Sequence, residues 1–391
     1  MGLSFLHYDA LPPRSSASTK RSTQARLKDR LVMTPLVTVR GNYTVKAVID
    51  RIIVHVETSR PTSRRDIKTA VDSVDAGSSC YVEDLGGCYR IQIQEPQPTA
   101  LSQAVALIAK NWGIVGEARP FLVELSLDFH ARRTHDAESR LRLREQMVGL
   151  LQRHYFFDPK YHTSTKADAH QVYKPEQTGP LKTDYLFSSP RNVGRRFPDR
   201  DVEQEHVRKR LARGFTVSNR LYLDSTLYMG DEFDGVLVRI QHKIGDNRNS
   251  AKGTLIRLDD RDRRARIEVQ LSGSELLAKY GLATVSDLKT ADFRAIRKAH
   301  LSFWLPTIET PSVDQPRAVR QLLERGLYGT EALRRMTDWE ERHSGPVGGA
   351  AAGGRRDRRG AGPTGRLVAW SELNDAVGDA LDSLSHQWGR L

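Results

Sequence analysis

The chain has 391 residues, 38% of them hydrophobic, enough to bury one or two cores, and its Gly and Pro content does not suggest general disorder. Lys and Arg outnumber Asp and Glu by 61 to 48, a formal charge of +13 that favours a polyanionic partner: nucleic acid first, an anionic membrane surface second. No apolar run approaches the roughly 20 residues of a membrane span and the N-terminus lacks a signal-peptide core, so the expectation is a soluble, cytoplasmic protein without a membrane partner.

In chain order, residues 1–45 read as a basic, flexible arm, with Arg14, Lys20, Arg21, Arg26, Lys28 and Arg30 among Ser, Thr and Pro. Residues 46–156 follow a regular pattern. Ala47 to Val56 is a β-branched strand, and Thr58 to Thr62 supplies helix-start chemistry before Arg64 to Val74. Cys80 to Glu83 and Tyr89 to Gln94 flank the turn Asp84-Leu85-Gly86-Gly87 as a hairpin. Ala100 to Trp112 has helical spacing, and Arg119 to Phe129 returns as a strand. The order β-α-β-β-α-β predicts an α+β fold whose first half is a ferredoxin-like split βαβ unit. A charged helix, Asp136 to Gln152, follows. The two cysteines, Cys80 and Cys88, read as reduced strand residues that could face each other across the hairpin.

Residues 157–214 read as a basic loop and connecting helix, with Arg191, Arg195, Arg196 and Arg200 forming either a solvated run or a DNA contact. Tyr161, Tyr173 and Tyr185 lie there too, as packing or as base-stacking groups. Residues 215–340 form a second antiparallel α+β half: strands Leu221 to Met229, Val236 to Lys243, Thr254 to Leu258 and Ala265 to Leu271, then helices Leu276 to Leu282 and Phe293 to His300. Residues 344–366 are a Gly/Arg linker, and 367–391 an amphipathic C-terminal helix whose stripe runs from Trp370 to Trp388. Its acidic polar face points to docking on the body or on a second copy in a homodimer, not to a membrane.

Chemistry concentrates on two strands. In Phe121 to His130, alternation puts Glu124, Ser126, Asp128 and His130 on one face and the apolar residues on the other. In Arg264 to Leu271 the residues Arg264, Arg266, Glu268 and Gln270 share a face. Glu124, Asp128 and Glu268 together make an oxygen-rich cluster suited to Mg²⁺ or Mn²⁺, while each residue alone fits a wet sheet face. His55 reads as an ordinary sheet-face histidine. No phosphate-binding G-x-x-x-x-G-K-[ST], H-E-x-x-H, paired C-x-x-C or G-x-S-x-G occurs, which removes ATP-driven motors and the common zinc and serine hydrolases.

Ser225-Thr226-Leu227-Tyr228-Met229-Gly230, Val236 to Lys243 and Arg264 to Leu271 together resemble the Rep_trans family of plasmid and phage replication initiators and related conjugative relaxases, whose pattern reads T-L-Y-x-G-S, R-I-Y-D-K and R-x-E-x-x-L. Glu124 to Asp128 is similar to the family's R-[IL]-D-x-A-x-D strand, with Glu124 in place of an Asp. The resemblance implies a ferredoxin-like nicking fold, a divalent metal near Glu124, Asp128 and Glu268, and a tyrosine that joins a 5′ phosphate covalently. It also implies rolling-circle initiation at a hairpin or single-stranded DNA origin, with a host helicase as a further partner. Gln241 stands where the family pattern carries its tyrosine, and His242 where it carries an acid. Tyr228 is then the nearest candidate nucleophile, Lys243 the cation for the developing phosphorane charge, and Arg195, Arg196, Arg239 and Arg266 the DNA contacts. The departure at Gln241 keeps a second reading open, a non-catalytic DNA-binding or copy-control protein. An RNA-binding sheet module is the third, although Tyr89 to Ile93 lacks its aromatic motif.

Overall fold

A computed structural model describes residues 6–12, 27, 30–155, 171–175, 185–187, 225–231, 235–249, 254–309 and 367–389. The chain is a mixed α+β protein with two main antiparallel sheets, a small hairpin and a C-terminal helix. Its strands are β1 (Tyr8–Leu11), β2 (Arg30–Pro35), β3 (Tyr43–Glu57), β4 (Ser79–Asp84), β5 (Cys88–Gln94), β6 (Arg119–Ala131), β7 (Gln171–Pro175), β8 (Tyr185–Phe187), β9 (Ser225–Asp231), β10 (Val236–Lys243), β11 (Gly245–Asn249), β12 (Thr254–Arg257), β13 (Arg264–Ser272), β14 (Trp304–Glu309) and β15 (Leu367–Ala369). The helices are α1 (Val39–Asn42), α2 (Arg64–Ser73), α3 (Pro98–Trp112), α4 (Ala137–His154), α5 (Ser274–Lys279), α6 (Phe293–His300) and α7 (Ser371–Gly389), with a 3₁₀ turn at Ser286–Thr290.

The local signals act as their chemistry requires. Ser63 Oγ accepts from the Asp66 amide to start α2, Pro98 opens α3 where its missing N–H costs nothing, and Asp136 accepts from the Ser139 amide to start α4. The β4–β5 turn closes on Gly86 and Gly87, at φ 81° and 91°, with Asp84 Oδ1 accepting from the Gly86 amide.

The large sheet has nine strands in the order β4-β5-β3-β6-β13-β10-β9-β7-β8. Its first and second halves, expected as two units, meet in one continuous ladder where β6 pairs with β13 from Leu122↔Ser272 to Phe129↔Ala265. One face carries Leu125, Leu127 and Phe129 of β6, Ile267, Val269 and Leu271 of β13, and Val238 and Ile240 of β10, all buried in a single core with Met147, Leu150 and Leu151 of α4. Helix α4 lies across β6, β10 and β13, and α7 packs on β3, α6 and α1. The α7 stripe Leu373, Val377, Leu381, Leu384 and Trp388 is buried, and its acidic side is held by Arg40–Asp379 at 2.7 Å and by the Arg294–Asp382 pair. The helix therefore docks on the body of its own chain. No helix among the described residues is long and apolar enough to cross a membrane.

Several expectations change. The expected arm at 1–45 contains β1, β2 and α1, with Tyr8, Met33 and Val39 buried. Arg30, counted there as a mobile charge, is buried and donates from Nε to Thr307 Oγ1 at 2.7 Å, because β2 pairs with β14 across a sequence separation of 277 at this contact. The C-terminal segment begins with β15, paired with β14, before its helix. Part of the expected loop forms β7 and β8 at the sheet edge, so Tyr173 and Tyr185 are strand residues, whereas Tyr161, Arg195, Arg196 and the 344–366 linker lie outside the described residues. Cys80 pairs with Ile93 and Cys88 with Glu57, so the two thiols do not face each other and both are free.

Candidate functional site: a buried charge lattice on the sheet

The face of the large sheet opposite the core is polar at its centre, and that polarity is buried. Alternation on β6 and β13 brings Glu124, Ser126 and Asp128 beside Arg264, Arg266, Glu268 and Gln270, and β10 adds Arg239 and Gln241, with Arg239 across from Glu268 and Gln241 across from Arg266. Two further charges arrive from β3 by a different route. Its core positions run Val45, Ala47, Ile49 and then Ile52, Val54, Val56, so the phase slips by one residue. The slip is a bulge against β6 between Ile49 and Arg51, and it directs both Asp50 and Arg51 to the polar face.

Among the described residues the lattice alternates in sign. Arg266, 2% exposed, donates to both oxygens of Asp128 at 2.5 and 2.7 Å, to Asp50 at 2.8 Å and to Glu268 at 3.3 Å. Arg264 adds a contact to Asp128 at 2.9 Å. Arg239 bridges Glu124 at 2.6 Å and Glu268 at 2.7 Å, and Arg51 binds Glu124 at 2.8 Å and Gln270 at 2.7 Å. Gln241 donates from Nε2 to Glu268 Oε1 at 2.9 Å. Four guanidinium groups thus neutralise four carboxylates. Pairing is what makes burial of these charges tolerable, since an unpaired one would carry a desolvation cost of several kcal/mol.

The electrostatic consequences differ by residue. Burial pushes the Glu124 carboxyl up, reinforced by Glu268 and opposed by Arg239 and Arg51. Burial alone would also raise Asp128, yet Arg266 and Arg264 hold it below the usual carboxylate range, and Arg266 is locked as a cation in return. Burial lowers the His130 imidazole at the end of the same row.

The carboxylates separate into two groups. Asp50, Glu124 and Glu268 each offer an oxygen, all within 4.8 Å of one another, and this triad could hold a metal ion. Asp128, expected as a ligand beside Glu124 and Glu268, is instead gripped by Arg266 and Arg264, and Asp50 takes its place. An all-carboxylate donor set fits a hard cation. Such a cation would take over oxygens now bonded to Arg51, Arg239 and Arg266. Ser126 Oγ and Gln270 Nε2 on the same face are buried without a hydrogen-bond partner among the described residues, and a bound polar group would satisfy them.

Other expected residues fall around the lattice. Tyr228 on β9 lies across from Arg239 in the β9–β10 register. Lys243 ends β10 across from Arg264, on the same side of the strand as Gln241. His242 points the other way, into the surroundings of Arg144 and Asp260, where burial and Arg144 lower its imidazole to about 4. The signal that would have found Asp50 is the broken alternation at Ile49-Asp50-Arg51-Ile52. Comparison with protein-family models, with curated proteins and with solved structures returns no match.

Proposed function

We propose that the protein binds DNA on this sheet face and nicks one strand, as rolling-circle replication initiators do. The observation that carries the reading is a row across β9, β10 and β13, Tyr228 across from Arg239 and Arg239 across from Glu268, with Arg239 also reaching Glu124 of β6. That row sets a candidate nucleophile beside a cation and a carboxylate pair. The β3-α2-β4-β5-α3-β6 segment, with strand order β4-β5-β3-β6, supports a ferredoxin-like first half.

In this reading Arg239 and Lys243 hold the scissile phosphate. The Tyr228 phenol oxygen bonds to phosphorus and loses its proton, and the 3′ oxygen leaves and gains one, so the 5′ phosphate stays on the protein. Asp50, Glu124 and Glu268 would hold Mg²⁺ or Mn²⁺, which when bound would polarise a phosphodiester oxygen.

The test is a supercoiled plasmid carrying the gene and its flanking DNA, incubated with the protein with and without Mn²⁺, then digested with protease. A metal-dependent nick with protein on one 5′ end, lost in Tyr228→Phe and in Glu268→Gln, is the expected result. One observation favours a second reading, a non-catalytic DNA-binding or copy-control protein: Gln241, which cannot form a phosphotyrosyl bond, is held by Glu268 at the centre of the lattice. Binding without any nick would select it.

A further inference from the structure

The polar face of the large sheet continues away from the lattice across β3, β5 and β4, where its chemistry changes from charged to aromatic. Across the strands run two rows, Tyr81-Gln92-Ile53 and Glu83-Arg90-His55. A second register shift, between Ile53 and Val54 against β6, leaves Phe121 as an extra residue beside them. The His55 ring stacks on Phe121 with centroids 4.6 Å apart and planes 11° from parallel. The Arg90 guanidinium carbon lies 5.3 Å from the Phe121 centroid, its Nε donates to His55 Nε2 at 3.3 Å, and Nη1 meets Glu83 at 2.9 Å. Tyr81 is 61% exposed, and Arg119 is exposed across from His55.

The core needs none of this. Ile52, Val54, Val56, Val82, Ile91 and Ile93 fill the other face, so Tyr81 is left exposed to water while His55 and Phe121, stacked on one another, stay half-buried at the surface of the sheet.

We propose that this surface is a stacking platform for the unpaired bases of single-stranded DNA, adjoining the charge lattice. The inference rests on the DNA-binding reading above and adds a second, separate contact region. Flat aromatic rings and guanidinium planes are the groups on which splayed bases stack, and four-stranded antiparallel sheets present them on neighbouring strands. Tyr81 on β4 and Phe121 on β6 stand three strand spacings apart, about 14 Å, so one strand of DNA can be followed across the sheet. Arg51 joins the two regions, since it neighbours Ile53 on the same face and binds Glu124 and Gln270 of the lattice. The chain's +13 charge draws the phosphates to the same body.

Fluorescence anisotropy of a labelled oligothymidylate with the full chain tests the proposal. Tyr81→Ala and Phe121→Ala should each weaken binding roughly 5- to 150-fold, Tyr81→Phe should retain it, and a duplex of equal length should be insensitive to all three. Tyr81 is exposed, so its variant keeps the fold, and thermal melts by circular dichroism check the Phe121 variant. Affinities within twofold of wild type for both alanine variants overturn the platform, as does tighter binding of oligouridylate than of oligothymidylate. The two readings fail separately. Oligothymidylate binding that needs Tyr81, in a protein that never nicks, keeps the platform and refutes nicking, whereas nicking by a protein indifferent to both alanine changes does the reverse.

Discussion

Replacing Arg266 by Met is the sharpest probe of the lattice. The guanidinium is 2% exposed and contacts Asp128, Asp50 and Glu268, so its loss leaves three arginines against four carboxylates, of which Glu124, Asp128 and Glu268 are buried. Removing one partner of a buried pair costs about 3–5 kcal/mol, and partial compensation by Arg264 at Asp128 and by Arg239 and Gln241 at Glu268 places the expected loss near the lower end, about 3 kcal/mol at pH 7. The pH dependence follows from Asp128. Its folded pKa is depressed, so in the wild type it contributes stability above its unfolded value of about 3.9 that disappears as pH falls through the folded value. In the variant the buried carboxylates lose that support and accept protons more readily, so the gap between variant and wild type should narrow as pH falls from 7 to 4. Urea unfolding of the full chain at pH 7, 5.5 and 4 measures both quantities. A loss below about 1 kcal/mol at pH 7, or a gap that stays constant with pH, would show that the lattice does not couple these charges as its geometry implies.

Three further outcomes are expected. His154 is fully enclosed between Tyr8 Oη and the Trp304 carbonyl, and burial lowers it to about 3, so stability present above its unfolded value near 6.5 should fall with pH at up to about 1.4 kcal/mol per unit towards pH 3; His154→Gln should flatten the melting-temperature profile between pH 7 and 5, and an unchanged slope refutes the assignment. Leu381→Ala in α7 should cost about 2–5 kcal/mol in denaturant unfolding because the side chain is fully buried against the body, and a negligible cost would mean that the helix is not docked in solution. Gln241→Tyr places a phenol across from Arg266 and beside Glu268, and on the nicking reading mass spectrometry of protease-treated complexes should find DNA linked at position 241; linkage at Tyr228 alone would mean that the β10 position is out of reach of the phosphate.

Much of this arrangement was legible residue by residue. Strict alternation in Val123 to His130 and in Arg264 to Leu271 places Glu124, Asp128, Arg266 and Glu268 on a common kind of face, because a strand's side chains have a period of two within each such run. Val236 to Lys243 and Phe293 to His300 were bounded in the same local way. What each carboxylate does was not legible. Asp128 and Glu268 look alike in sequence, and only the pairing of β6 with β13 gives one of them to Arg266 and Arg264 and leaves the other facing Asp50 and Glu124.

From sequence alone come the strands β3, β4, β5, β6, β10 and β13, the two faces of β6 and β13, the amphipathic stripe of α7 and the basic balance of charge, all of which depend on neighbours a few residues apart. The tertiary structure alone decided that both halves share one sheet, that β2 of the expected arm pairs with β14, and that a one-residue bulge turns Asp50 into the lattice. Such pairings join residues far apart in the chain, 73 positions for Arg51 and Glu124 beside the bulge, and what selects them is the burial of one shared core, a property of the whole chain that no short segment carries.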